Sequence, residues 1–138
     1  MVTTIIAIVL ALSLTVVGVL HLVWAAGIYF PFASEREAAR KAVGDRETMP
    51  PWPLTTLVGA LLILAAYLVL ALRWPTWRIV ADWVYEWSIW GIAVVFFLRA
   101  LEPLAARTAS AEYNRLNRRL YSPFVLVLSV LAAVVALA

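Results

Sequence analysis

Asp82 and Glu86 sit one helical turn apart in the stretch WRIVADWVYEWSIWGIAVVFFLRALE, with Trp83, Trp87 and Trp90 beside them at helical spacing. A carboxylate supplies charge and an indole supplies a cation–π face, so acid plus indole is cation-binding chemistry. The stretch is also apolar and long enough to cross a bilayer. A carboxylate at mid-bilayer costs about 2.5–3.5 kcal/mol, less near the edge, and persists only where it is paired, wet or buried against other helices. The competing account is structural. Asp82 lies near enough to an interface to pair with Arg73 or Arg78, and the tryptophans form an aromatic belt. The belt is the favoured account, and Glu86, which lies deeper, fits it less well than Asp82.

A second constellation lies at the opposite level. His21, the only histidine, falls about one turn from the end of the first apolar stretch, with Trp24 after it. Arg99 and Glu102 are three apart and can pair along one helix face. Asn117 and Tyr121 are expected at the same depth. This polar cluster can bind an anionic head group or a quinone oxygen, or it can be a clasp that satisfies helix ends. His21 itself can serve as a proton relay, a ligand contact or half of a metal or haem site completed across a dimer, or it can form a helix–helix hydrogen bond to Glu102, Asn117 or Tyr121. The structural account is favoured for both. A third group, Arg115, Arg118 and Arg119, suits acidic lipid head groups at about 1 kcal/mol each and equally suits a topology anchor.

Much chemistry is excluded. The chain has no cysteine and one histidine, so neither thiolate chemistry nor a multi-histidine metal or haem site is available within one chain. No Gly-rich phosphate loop, His-Glu-x-x-His or Gly-x-Ser-x-Gly is present in the sequence. A seryl nucleophile such as Ser122 would need His21 as its base. No catalytic residue, cofactor or metal is therefore expected. The net charge of +3 does not point to nucleic acid, because the basic residues lie in short loops between apolar stretches, where membrane orientation explains them.

The elements that must position these residues follow from hydropathy. Of 138 residues, 65% are hydrophobic and 14% charged, against about 25% charged in soluble domains. Four apolar stretches are read as spans at about residues 3–26, 54–72, 79–99 and 121–138, forming a single domain over 1–138. The first lacks a basic n-region and runs too long for a signal peptide, so it is expected to be retained. Pro31 is expected to stop it. Ser34 and Glu37 have capping-box spacing and begin a short amphipathic helix expected to stop near Gly44. Met49 to Pro53 reads as a stiff re-entry segment. The stretch from Glu102 to Arg119, with Arg107, reads as a polar loop, and Pro123 sits in the first turn of the last span. All Lys and Arg except Arg73 and Arg78 lie in or beside the two longer loops. The positive-inside rule then places these loops in the cytoplasm and both termini outside.

Certain residues together resemble one family. They are His21-Leu22-Val23-Trp24-Ala25-Ala26-Gly27, Tyr29-Phe30-Pro31-Phe32, Gly44 with Met49-Pro50-Pro51, Leu98-Arg99-Ala100-Leu101, and Asn117-Arg118-Arg119-Leu120-Tyr121-Ser122-Pro123-Phe124. The pattern is similar to that of a family of small bacterial four-span membrane proteins known only as a domain of unknown function. The resemblance covers nearly the whole chain and implies fold and location, but no activity.

The expected architecture is an all-α, antiparallel four-helix bundle in the bacterial cytoplasmic membrane, with a short amphipathic helix in the first loop. The expected role is non-enzymatic, as an accessory subunit or a small-ligand or lipid-binding module. Its expected partners are membrane lipids and either a second copy or a larger membrane complex. The alternatives are a proton- or cation-coupled transporter using Glu86 and Asp82, and a membrane enzyme acting on a lipid or quinone near His21.

Overall fold

The computed structural model describes residues 1–44, 47–105 and 110–138. Arg46 and Arg107, both counted among the basic loop residues, lie outside the described residues. The helices are α1 (Val2–Ala25), α2 (Glu35–Ala38), α3 (Trp52–Arg73), α4 (Asp82–Ala100), α5 (Glu102–Ala105), α6 (Ala111–Leu116) and α7 (Ser122–Leu137). Four helical stretches, Val2–Ala25, Trp52–Arg73, Asp82–Ala105 and Ala111–Leu137, are long and apolar enough to cross a membrane. The chain is a multi-span membrane protein.

The long helices pack as two hairpins side by side. Helix α1 lies most closely on α3, and α4 on α7, while α1–α7 and α3–α4 are the thinner seams between the hairpins. Leu10, Leu14, Val69, Ile89 and Leu128 fill the centre, with Ala7, Ala11, Ala66, Ala93 and Ala132 between them. Lipid tails are as apolar as leucine, so helices in a bilayer are held by close packing rather than by escape from solvent. The α1–α3 contact meets that need at Gly18 and Gly59. A Cβ on Gly59 would lie 2.8 Å from the Gly18 carbonyl oxygen, and one on Gly18 would lie 3.0 Å from the Gly59 carbonyl oxygen. Ser129 adds a buried bond across the other hairpin, donating to the Ala93 carbonyl at 2.7 Å.

Helix ends follow local chemistry, with three departures from expectation. Helix α1 stops at Ala25, well before Pro31. Gly27 has φ +84°, its N–H bonds to Trp24 O, and Ile28 N–H bonds to Val23 O, which is the Schellman arrangement that glycine permits. Ser34 caps α2 by accepting the Glu37 N–H at 3.2 Å, while the Glu37 carboxylate accepts from Ala33 N at 2.8 Å. A π turn, Ala39–Val43, then extends to Gly44 at φ 110°. Helix α4 starts at Asp82 instead of near Ile79. The Tyr85 hydroxyl accepts from Ile79 N at 2.8 Å and Val80 N at 3.3 Å, which holds that turn out of the helix.

The third departure concerns the second polar loop. Helix begins at Ala111, capped by Ser110, whose hydroxyl accepts the Tyr113 N–H at 3.2 Å. It continues through a π turn, Asn117–Tyr121, into α7. Proline in a helix removes a bond and crowds the carbonyl four residues back. For Pro123 that carbonyl belongs to Arg119, and the wide turn relieves the crowding.

Candidate functional site

The end of the bundle that carries the two longer loops holds a closed polar network. Arg99, in the last turn of α4, pairs with Glu102. It donates to Asn117 Oδ1 at 3.2 Å and to the Tyr113 hydroxyl at 3.2 Å. Tyr113 donates on to Glu102 at 2.9 Å, and Ser122 donates to Asn117 Oδ1 at 3.0 Å. Asn117 is fully buried, and its Nδ2 is the one buried side-chain polar atom without a partner among the described residues. Two donors converge on Oδ1, which fixes the amide orientation. Tyr121 bonds elsewhere, donating to the Lys41 carbonyl at 2.9 Å and so fastening the first loop to the last span.

His21 and Trp24 form a separate station. The His21 Nδ1 contacts the Val17 carbonyl at 2.8 Å. A carbonyl only accepts, so Nδ1 carries the proton and the bond stays within α1. Among the described residues, no bond joins His21 to Glu102, Asn117, Tyr121 or Ser122. The expected interhelical bond is thus replaced by a local one, and Ser122 has no histidine base. The imidazole leans on the Trp24 ring, with centroids 5.2 Å apart, and Trp24 Nε1 donates to Phe30 O at 2.7 Å. The His-x-x-Trp pattern therefore folds the chain after α1 back onto the helix end.

The opposite end carries the α3–α4 turn and both terminal segments. Arg78 donates to the Ala71 and Leu72 carbonyls at 3.0 and 2.7 Å, closing the C-terminus of α3, and pairs with Asp82 at 2.9 Å. Its guanidinium lies 5.6 Å from the centre of the buried Tyr85 ring. Tyr67 donates to Trp77 O at 2.7 Å with its hydroxyl 3.3 Å from that of Tyr85. Asp82 thus belongs to a turn clasp. Tyr85, Tyr67 and Tyr113 carry much of this chemistry and are not singled out by the sequence. The one signal for Tyr85 is its place a turn after Asp82, and for Tyr113 its place a turn before Asn117.

Glu86 is in a different setting. It is exposed and lines an open cleft of about 710 Å³ between the ends of α1, α3, α4 and α7. Arg73, Trp87 and Trp90 share the cleft, with Leu72, Ile89 and Val135 as apolar wall. Arg73 donates through Nε to Thr4 Oγ1 at 2.8 Å. Among the described residues, neither Arg73 nor Glu86 forms an ion pair. The Arg73 contribution to this cleft was not apparent from sequence, because residues 73 and 86 are brought together only by the α3–α4 turn.

On the loop side, Glu37 and Lys41 pair one turn apart. That bond, with the Ala33 N–H, holds the Glu37 carboxyl below its ordinary range and raises Lys41 above its own. Arg40, in the π turn after α2, pairs with Glu112 of α6 at 3.3 Å. Arg115, Arg118 and Arg119 are exposed. Among the described residues, no group of three or more His, Asp or Glu is arranged to hold a metal ion.

The family model described as "Protein of unknown function (DUF3995)" matches residues 14–132. No curated protein and no solved structure matches. The match spans most of the chain, which therefore belongs to this family.

Proposed function

We propose that this DUF3995 chain is a non-enzymatic membrane module that holds a lipid or small amphiphile in the cleft beside Glu86. The observation that carries the proposal is a sizeable open cleft lined by two opposite, unpaired charges, two indoles and an apolar wall. That mixture suits a molecule with a polar head and an apolar body. The Arg99 network offers less, because Arg99, Glu102, Tyr113 and Ser122 are engaged with one another or with Asn117. Transport through Glu86 is disfavoured by what lies beneath the cleft. Leu10, Leu14 and Val69 are wholly buried in the core next to Ile89 of the cleft wall, and this apolar plug separates Glu86 from the polar end.

On the positive-inside rule, the basic loop end faces the cytoplasm and the cleft opens at the outer leaflet of a bacterial cytoplasmic membrane. The test is native mass spectrometry of the protein drawn from its own membranes in mild detergent. A retained lipid-sized molecule whose retention falls in Glu86→Gln is the expected result. A stoichiometric protein partner with no retained small molecule would replace this function with that of an accessory subunit.

A further inference from the structure

We propose that the occupant of the cleft is the head group of an ethanolamine phosphodiester lipid, with Glu86 receiving the ammonium and Arg73 the phosphate. The proposal rests on the lipid-binding function above and names its ligand class. Its basis is the juxtaposition of one cation and one anion in the same cleft without an ion pair between them. A purely anionic head group would satisfy Arg73 and face Glu86. A purely cationic one would do the reverse. A zwitterion satisfies both, and the apolar wall receives its chains.

The positioning of Arg73 supports the phosphate assignment. Its Nε is held by Thr4, and no bond from either terminal nitrogen to a described residue competes for that end of the guanidinium. A planar fork anchored at one edge presents two parallel N–H donors, the geometry that phosphate oxygens accept. Depth supports it as well. Trp87 and Trp90 share the cleft with the charges, and tryptophan favours the head-group layer. One turn further out, Asp82 is engaged by Arg78, which leaves Glu86 as the acid available to a ligand.

The carboxylate distinguishes a primary ammonium from a quaternary one. Recognition of a quaternary nitrogen relies on rings closed around it. Here Trp87 is 71% exposed and Trp90 40%, so the rings form one open side. Binding must then come chiefly from N–H donors to the Glu86 carboxylate, and a quaternary nitrogen has none.

The experiment is lipid competition, read by native mass spectrometry, on the full chain in nanodiscs holding equal amounts of ethanolamine, choline and glycerol phosphodiester lipids with the same acyl chains. The wild type is expected to retain the ethanolamine lipid several-fold over the other two. Glu86→Gln should bring ethanolamine and choline lipids to equal retention, and Arg73→Gln should lower retention of all three. Equal retention of the three head groups by the wild type would overturn the ligand assignment while leaving lipid binding in place. So would an ethanolamine preference that survives Glu86→Gln. No retained lipid at all would overturn the lipid-binding function itself. Both side chains are exposed, and the wild-type competition decides the assignment even if a variant fails to fold.

Discussion

Replacing Gly59 by alanine tests whether the α1–α3 hairpin depends on direct backbone contact. The added Cβ would stand 2.8 Å from the Gly18 carbonyl oxygen and 2.9 Å from Leu22 Cδ2. A favourable carbon–oxygen contact needs about 3.3–3.6 Å, so α1 must move by several tenths of an ångström. The leucine can rotate away, but the carbonyl belongs to the helix backbone and cannot. Overpacking of this kind costs about 1–3 kcal/mol. Alanine returns about 0.5–1 kcal/mol of helix propensity, leaving a net loss of about 1 kcal/mol. Gly91 on α4 is the internal control, because a Cβ there meets nothing within 4 Å. Gly91→Ala gains the same propensity term with no clash. The difference between the two variants therefore isolates packing, about 1–3 kcal/mol, or about 5- to 150-fold in the folding equilibrium. The assay is unfolding of the purified protein by titration of mild-detergent micelles with dodecyl sulfate, followed by tryptophan fluorescence. Gly18→Ala should behave like Gly59→Ala, and the double variant should lose less than the sum, since both act at one contact. Equal stability of Gly59→Ala and Gly91→Ala would refute the close-contact account.

Two further outcomes follow from the loop end. Arg99→Met removes the ion pair to Glu102 and the bonds to Asn117 and Tyr113, and should cost about 2 kcal/mol in the same titration, with Tyr113→Phe costing about 1 kcal/mol and the pair together less than their sum. The Glu37–Lys41 pair should make the first-loop helix pH-dependent. Glu37 has a lowered folded-state pKa, so its contribution is complete above the unfolded value of 4.5 and is lost as pH falls through the folded value; Lys41 is raised, so its contribution is complete below 10.5 and is lost as pH rises through its folded value. Hydrogen exchange over residues 34–43 should accelerate at both extremes, and Glu37→Gln should remove both transitions; exchange that is independent of pH after correction for intrinsic rates would count against the pairing.

The network around Asn117 joins residues from both sides of the loop end and leaves Asn117 Nδ2 as a buried donor without a partner among the described residues. Arg99 and Glu102 meet because they are three apart on adjoining helical segments. Tyr113, Asn117 and Ser122 come from the other side, and the π turn between α6 and α7 is what brings Ser122, five residues on, to Asn117 Oδ1, the acceptor it shares with Arg99. The result ties the last span to α4 at the loop end, as Ser129 does within the bundle. The Arg78–Asp82–Tyr85 clasp does the same for the α3–α4 turn. With both ends fastened by side chains bonded to each other or to backbone, the cleft at Glu86 holds two opposite charges that form no ion pair among the described residues.

Hydropathy alone determined the four spans, the all-helical class and the membrane setting, because twenty apolar residues in a row have few other ways to satisfy their backbone. The local signals at Ser34 and Gly44 were legible for the same kind of reason: capping and positive φ are decided within a few residues. The family pattern was legible too, being a property of residues in order. Other features depended on tertiary placement. Tyr85 moved the start of α4 by reaching back to two backbone N–H groups, and Gly27 ended α1 before Pro31 could. His21 and Arg99 looked like members of one cluster because depth along a helix can be read from sequence, whereas rotation about its axis, set by which neighbour it packs against, cannot. Arg73 and Glu86 stand on different helices, and only the packed bundle put their charges in one cleft.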